Sequence, residues 1–192
     1  MRQVCHITVL LMLGGIASGE AAHDPNALFR GRISELVCDG PAVAAGLRGP
    51  HKDDLIIVDD VNDLSTIPRE VRWLASVLLE MYKPVGVVSL GSLSYDHEAK
   101  RGPDVTLRVF VFRDGLSCET WRKKKYEPEG WQEYYDKIIE RDYIGYHSKQ
   151  MNKRIAFVNN VWMTCGTIFD CNEPVTIVEH YAGLLRRKLK KD

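Results

Sequence analysis

Two residues of this sequence begin a known catalytic pattern that the chain does not complete. His97 and Glu98 start like the HExxH helix of zinc proteases. In that helix two histidines four residues apart bind one metal ion, and the glutamate activates a water molecule. Position 101 is Arg101, so the second ligand is missing. The sequence also contains no GxSxG, P-loop or GxGxxG pattern. We therefore expect no catalytic residue, no metal site and no cofactor.

A metal site assembled from distant histidines is an alternative that the sequence leaves open. His51, His97, His147 and His180 are scattered along the chain and could meet only in the folded protein. Such a site would make the chain a secreted hydrolase of the metalloprotease kind, or a degenerate relative of one. A second alternative is a carrier that holds a small apolar ligand inside the domain.

Two basic groups indicate binding rather than catalysis. Basic and aromatic side chains occur together at many binding surfaces. The first group consists of Trp121, Arg122, Lys123, Lys124, Lys125 and Tyr126. The second group consists of Arg186, Arg187 and Lys188. Either group could bind a sulfated glycan or an acidic protein surface. The competing interpretation is a solvated turn and a helix end whose dipole favours cations.

The first residues have the pattern of an export signal. Arg2 gives a basic start, residues 4–16 are largely apolar, and residues 17–19 are small, as at a signal-peptidase site. The apolar run is shorter than the roughly 20 residues that a membrane-spanning helix needs. We predict a signal peptide over residues 1–19, followed by a single α/β domain over residues 20–192 with a basic C-terminal helix end. The protein is then secreted and extracellular, with no membrane contact after cleavage.

Export changes the expected chemistry of the cysteines. An oxidising compartment and an even number of cysteines outside the signal predict two disulfides. The four residues are Cys38, Cys118, Cys165 and Cys171. Four cysteines allow three pairings, of which we favour Cys165–Cys171 with Cys38–Cys118. No CxxC pair is present, so cysteine-bound zinc is not expected.

The overall composition excludes several classes of protein. The 192 residues include 26 basic and 26 acidic side chains, so bulk attraction to nucleic acid is not expected. Hydrophobic residues make up 45% and charged residues 27% of the chain, a balance typical of folded domains rather than disordered ones.

Interleaved strand and helix patterns predict an α/β or α+β fold with a mixed sheet and about three helices. The strands are predicted over residues 28–38, 55–58, 87–95, 104–113 and 155–163. The helices are predicted over residues 65–82, 130–146 and 176–190. The strand over 104–113 has the clearest alternation. One of its faces should carry Val105, Leu107, Val109 and Val111. The other should carry Thr106, Arg108, Phe110 and Phe112.

The order of elements from residue 104 to 163 resembles a known arrangement. The segments DVTLRVFVFRD, GWQEYYDKIIERDYIGYH and RIAFVNNVWM resemble the opening strand–helix–strand of reprolysin-like metalloproteases. They also resemble small secreted tick salivary proteins of the immunoglobulin-binding and p36 immunosuppressant types. The resemblance covers about a third of the chain. The sequence lacks the HExxHxxGxxH helix of the enzymes, so the resemblance implies a non-catalytic relative and transfers no catalytic residue.

Taken together, these patterns predict a secreted, disulfide-stabilised, non-catalytic binding protein with an immunomodulatory role. Its expected partner is an extracellular or host protein, such as an immunoglobulin, or a sulfated glycan. The residues expected to contact that partner are the two basic groups defined above.

Overall fold

One antiparallel sheet organises the fold in the computed structural model, which describes residues 27–97, 105–141, 143–167 and 172–190. Its eight strands are β1 (Leu47–Arg48), β2 (Ile56–Val58), β3 (Val87–His97), β4 (Val105–Phe112), β5 (Tyr135–Ile139), β6 (Ile144–Ser148), β7 (Lys153–Val158) and β8 (Val161–Gly166). Their order is β1-β3-β4-β8-β7-β6-β5, and β2 also pairs with β3. Within the described residues β5 pairs with β6 alone and forms one edge of the sheet.

Helices cover both faces of this sheet. The described residues form α1 (Gly40–Val43), α2 (Arg69–Tyr82), α3 (Gly115–Tyr126) and α4 (Glu173–Leu189). The apolar residues of α4 pack on one face, and those of α2 and α3 pack on the other. The α+β prediction is therefore confirmed. The sheet is antiparallel rather than mixed, and the described residues contain four helices rather than about three.

The α4 face carries an aliphatic core. Val105 and Leu107 of β4 lie in the same buried cluster as Ile177 and Leu185 of α4. Pro174 stands in the first turn of α4, where its missing N–H costs no helical hydrogen bond. The predicted alternation of β4 is confirmed, because Val105, Leu107, Val109 and Val111 all belong to this cluster while Phe110 and Phe112 belong to the opposite one.

The opposite face carries an aromatic core beneath α2 and α3. Phe110 and Trp162 stack with ring centroids 4.3 Å apart, and Phe157 stacks on the other side of Trp162. Tyr82 of α2 and Trp121 of α3 meet Trp162 edge-on or tilted. Packing in this core therefore accounts for most of the aromatic residues between Trp121 and Trp162.

The turn between β7 and β8 fixes the N-terminal segment. The Asn160 side chain accepts a hydrogen bond from the backbone N–H of Phe29 at 2.8 Å and donates to the carbonyl oxygens of Phe29 and Phe112. Asn159 adopts a positive φ of 51°, which asparagine tolerates better than most residues. The predicted single strand over residues 155–163 is therefore a hairpin that turns at these two asparagines.

Two further predicted elements are wrong. Residues 130–146 form a 3-10 turn (Trp131–Glu133) followed by the hairpin of β5 and β6, not a helix. A helix lies earlier, in α3, where the sequence predicted neither a helix nor a strand. Residues 28–38 contain a 3-10 helix (Ile33–Leu36) rather than a strand.

The disulfide prediction is not supported. No disulfide joins Cys38, Cys118 or Cys165 within the described residues, and Cys171 lies outside them. The Cys38–Cys118 pairing is wrong because the sheet separates the two side chains. Cys38 packs against the cluster on the α4 face, and Cys118 is buried in the aromatic cluster on the other face.

The predicted signal peptide, residues 1–19, lies outside the described residues. Among the residues that are described, no helix combines the length and the apolar character required to cross a membrane.

Candidate functional site

A cleft opens between the first half of α3 and the tip of the β5–β6 hairpin. Its volume is about 790 Å³, within the range of roughly 300–1,000 Å³ common for ligand sites. Leu116 on α3 and Ile144 on β6 line it and are 75% and 37% exposed. These two apolar side chains are accessible to a molecule that enters the cleft.

Charged side chains of both signs complete the lining. Glu119 and Arg122 come from α3, Glu140 and Arg141 from the hairpin tip, and Arg186 from α4. The cleft can therefore contact apolar groups together with groups of either charge.

α3 reaches this position because its N-terminus is capped. The Asp114 carboxylate accepts a hydrogen bond from the backbone N–H of Ser117 at 2.6 Å. From that start, Cys118, Arg122 and Tyr126 recur every four residues and are buried against the sheet. The buried stripe therefore contains an arginine at its centre, 8% exposed.

A cluster of charged groups below the cleft explains how Arg122 can be buried. Its Nη1 donates to Glu127 Oε1 and to the Tyr146 hydroxyl, both at 2.7 Å. Lys137 Nζ and the Tyr146 hydroxyl each donate to the same Glu127 oxygen at 2.6 Å. The four residues link α3 to β5 and β6, so they hold the hairpin that forms one wall of the cleft.

The carboxylate at the centre of this cluster stays ionised over a wide pH range. Burial alone would raise the pKa of Glu127, but hydrogen bonds from Lys137 and Tyr146 and the charge of Arg122 outweigh it and lower the pKa to about 2. In the same cluster, burial and the contact with Glu127 raise the pKa of Tyr146. Sequence reasoning did not find Glu127, Lys137 or Tyr146 as a group, because their spacing matches no motif.

One residue that lines the cleft, Tyr143, has a buried hydroxyl. This hydroxyl makes no hydrogen bond of ordinary geometry within the described part of the chain. Burial raises the pKa of this hydroxyl, and the nearby Arg154 partly offsets the effect. Because this hydroxyl is buried, it is not accessible to a molecule bound in the cleft.

The structure divides the first predicted binding group between the interior and the surface. Trp121, Arg122 and Tyr126 face the aromatic core, whereas Lys123, Lys124 and Lys125 are exposed. Lys123 is paired with Glu119 at 2.9 Å on the same helix. The aromatic and basic side chains therefore do not form one continuous surface.

The second predicted group lies on the other side of the sheet, on α4. Arg187 is exposed, and Lys188 is paired with Glu35 at 3.2 Å. Arg186 donates to Asn159 Oδ1 at 3.1 Å and also lines the cleft. Arg122 and Arg186 are thus the two predicted residues, one from each group, that the cleft brings together.

Lys125 belongs to a second basic cluster that the sequence did not predict. Arg108 on β4 lies opposite Thr164 of β8, and Lys153 on β7 lies opposite Gly166 of β8. Both basic residues are on the face of the sheet that α3 covers. Gly166 has no side chain, and Lys153 extends close above it. Burial lowers the pKa of Lys153, and the charges of Arg108 and Lys125 lower it further. Within the described residues no acidic side chain forms an ion pair with Arg108, Lys125 or Lys153.

The four histidines of the alternative metal site do not come together. His51 Nε2 lies 3.1 Å from Asp96 Oδ1, near the edge of the sheet that β1 forms. His147 is on β6 and His180 is on α4, whereas His97 ends β3. Among the described residues, no three His, Cys, Asp or Glu side chains are grouped so that they could hold a metal ion.

Comparisons with known proteins give only a distant likeness. No protein-family model matches the chain, and no curated protein matches it. A solved structure, the extracellular domain of PknH from Mycobacterium tuberculosis, is similar with a TM-score of 0.46 and 10% sequence identity. The match covers 83% of this chain and 95% of that chain. A likeness this distant assigns no function.

Proposed function

We propose that this protein is an extracellular binding protein that holds a peptide segment of a partner protein in the cleft between α3 and the β5–β6 hairpin. The observation that carries the proposal is the cleft itself, with Leu116 and Ile144 exposed beside charged side chains of both signs. A peptide offers the same mixture of apolar, acidic and basic groups. The extracellular location rests on the predicted signal peptide.

The charged cluster below the cleft supports binding because it keeps the wall of the cleft in place. Glu127 joins α3 to β5 and β6 through three short hydrogen bonds. A site that is formed before the partner arrives loses less conformational entropy on binding. An immunoglobulin remains the partner class that the sequence resemblance implies, and it supplies a defined probe.

Selection of peptides tests this function without knowledge of the natural partner. A random peptide library displayed on phage is selected on the purified protein. The binding of the enriched peptides to the original protein and to two variants is then measured. Leu116→Asp places a charge on the exposed wall of the cleft and should weaken binding at least about tenfold. Met151→Asp, a matched change at a residue 58% exposed beyond the end of β6, should leave binding unchanged. The binding of immunoglobulin G to the original protein and to both variants is measured by surface plasmon resonance.

Two results would contradict the proposal. Either no peptide is enriched above the uncoated surface, or the enriched peptides bind the Leu116→Asp variant as tightly as the original protein. Leu116 is mostly exposed, so the variant is expected to fold, and circular dichroism checks this.

A further inference from the structure

The sheet face that α3 covers changes from aromatic to polar along β4 and β8. Phe110 lies opposite Trp162 in the register of these two strands, and two residues away Arg108 lies opposite Thr164. The next residue of β8 on this face is Gly166. Side chains two residues apart in a strand point to the same face of the sheet. The aromatic core therefore ends at a polar area of the same face.

Three cations from three elements surround this polar area. Arg108 lies on β4 and Lys153 on β7, with β8 between them. Neighbouring strands lie about 4.8 Å apart, so both long side chains can reach the space above β8. Lys125 lies on α3, one helical turn after Trp121, whose ring centroid is 5.6 Å from that of Trp162 on β8. α3 thus brings a third positive charge toward the same strand.

The acids on the surrounding elements pair with other cations. Among the described residues of β3, β4, β7 and β8 the one acid is Asp96, and it pairs with Arg48 and His51, each at 3.1 Å. The one acid within α3 is Glu119, which pairs with Lys123 at 2.9 Å. An anion from outside the chain would therefore relieve the repulsion among the three cations.

A molecule from solvent can reach this cluster. Arg108 and Lys125 are exposed, and Lys153 is half-buried. Gly166 leaves the space above β8 free of a side chain, and a Cβ atom added there would lie 3.5 Å from Lys153 Cγ, an ordinary contact distance. Burial and the charges of the other two cations lower the pKa of Lys153, so a negative charge is favoured beside it.

We propose that the cluster of Arg108, Lys125 and Lys153 binds one tetrahedral oxyanion, a sulfate or a phosphate group. Arginine binds such a group through two parallel hydrogen bonds, and lysines add point charges. The oxygens of a tetrahedral anion point in enough directions to face β4, β7 and α3 together, whereas those of a carboxylate lie in one plane. None of the three residues lines the cleft, so this site is independent of the proposed peptide binding.

NMR titrations with sodium sulfate and sodium phosphate test this site. Each anion replaces chloride at constant ionic strength, so that general screening does not change. The backbone amide resonances of Lys153, Thr164 and Gly166 should shift and saturate. Acetate, which is planar and carries one charge, should bind at least about tenfold more weakly. Saturation by sulfate alone indicates a sulfate ester as the natural ligand, and saturation by phosphate alone indicates a phosphate.

Three variants separate a defined site from general attraction to a basic surface. Lys153→Met removes one charge of the cluster and should raise the dissociation constant of the bound anion at least about tenfold. Lys124→Met removes an equal charge from an exposed lysine of α3 outside the cluster and should have little effect. Gly166→Val keeps every cation but fills the space above β8, and should weaken binding as strongly as Lys153→Met. Valine is favoured in strands, so this variant is expected to fold, and its amide spectrum checks this.

Several results would overturn the proposal. One is that neither sulfate nor phosphate shifts these resonances to saturation, and another is that acetate binds as tightly as they do. A third is that Lys124→Met weakens binding as much as Lys153→Met, and a fourth is that Gly166→Val binds like the original protein. Leu116→Asp, which tests the cleft, should leave anion binding unchanged, so the failure of one proposal is distinguishable from the failure of the other.

Discussion

At the scale of single residues, Glu127 is the group on which the α3–hairpin contact depends. Its oxygen accepts from Arg122, Lys137 and Tyr146, each within 2.7 Å. Glu127→Gln leaves the buried guanidinium of Arg122 with only the half-exposed Glu119, 3.9 Å away, as a counter-charge. Removing one partner of a buried pair typically costs about 3 kcal/mol, so we expect a loss of that order in the free energy of unfolding at pH 7. Urea denaturation measures it. Glu133→Gln, a change at an exposed glutamate nearby, is the control and should have little effect.

Glu127 should also contribute to the pH dependence of the free energy of unfolding. Because the pKa of Glu127 is about 2 in the folded protein and near 4.5 when unfolded, its contribution is complete above the unfolded value. The contribution is lost as the pH falls from about 4.5 toward 2. The Glu127→Gln variant should therefore lose less stability than the original protein across that window. Parallel acid-denaturation curves for the two proteins would contradict this assignment.

Arg122 also explains why the site could not be predicted from the sequence. Hydrophobic spacing predicts helices well where every inward position is apolar, as in α4. In α3 the inward positions are Cys118, Arg122 and Tyr126, and the charged residue at the centre breaks the pattern. The burial of Arg122 is favourable only because Glu127 and Tyr146 accept its hydrogen bonds, and only the folded chain brings these three residues together.

At the scale of elements, the sequence of the β5–β6 hairpin predicts a helix because two periodicities coincide. Trp131, Tyr135 and Ile139 are four residues apart, as on one face of a helix. Tyr135, Lys137 and Ile139 also alternate with Asp136 and Ile138, as on a strand. Tertiary pairing with β7 decided between them. By contrast, β4 has both alternation and β-branched residues. Its predicted faces are confirmed, and the strand Val105–Phe112 lies within the predicted range 104–113.

The separation of elements by the sheet predicts the chemistry of the cysteines. Cys38 and Cys118 lie on opposite faces, and the layers of a folded sheet are too far apart for a disulfide, which needs Cβ atoms about 4 Å apart. Non-reducing peptide mapping should therefore find no Cys38–Cys118 link. Under native conditions Cys118 should react slowly with iodoacetamide, because burial raises its pKa to about 12, and Cys38, which is less buried, should react first. A Cys38–Cys118 link, or faster labelling of Cys118, would contradict the position of α3.

At the scale of the whole molecule, the zero net charge of the sequence averages over surfaces of different sign. The exposed lysines of α3 and the basic end of α4 belong to helices that pack on opposite faces of the sheet. On the α3 face, however, Lys125 joins Arg108 and Lys153, three cations from three elements. Sequence alone could not find this cluster, because its members are far apart in the chain and meet only through the register of β4, β8 and β7.

The composition of this cluster gives a test of the predicted sulfated-glycan partner. Lys124 and Lys125 are adjacent, exposed and equal in charge. Only Lys125, together with Arg108, is close enough to Lys153 for its charge to lower the pKa of that lysine. If heparin binds at the cluster, Lys125→Gln should weaken its binding about fivefold and Lys124→Gln much less, because clustered cations act on the same sulfate groups. Isothermal titration at low and moderate salt measures both, and the difference should shrink as salt rises. Equal losses for the two variants would indicate diffuse attraction to α3, and no binding of heparin to the original protein would contradict heparin-like glycans as its partner.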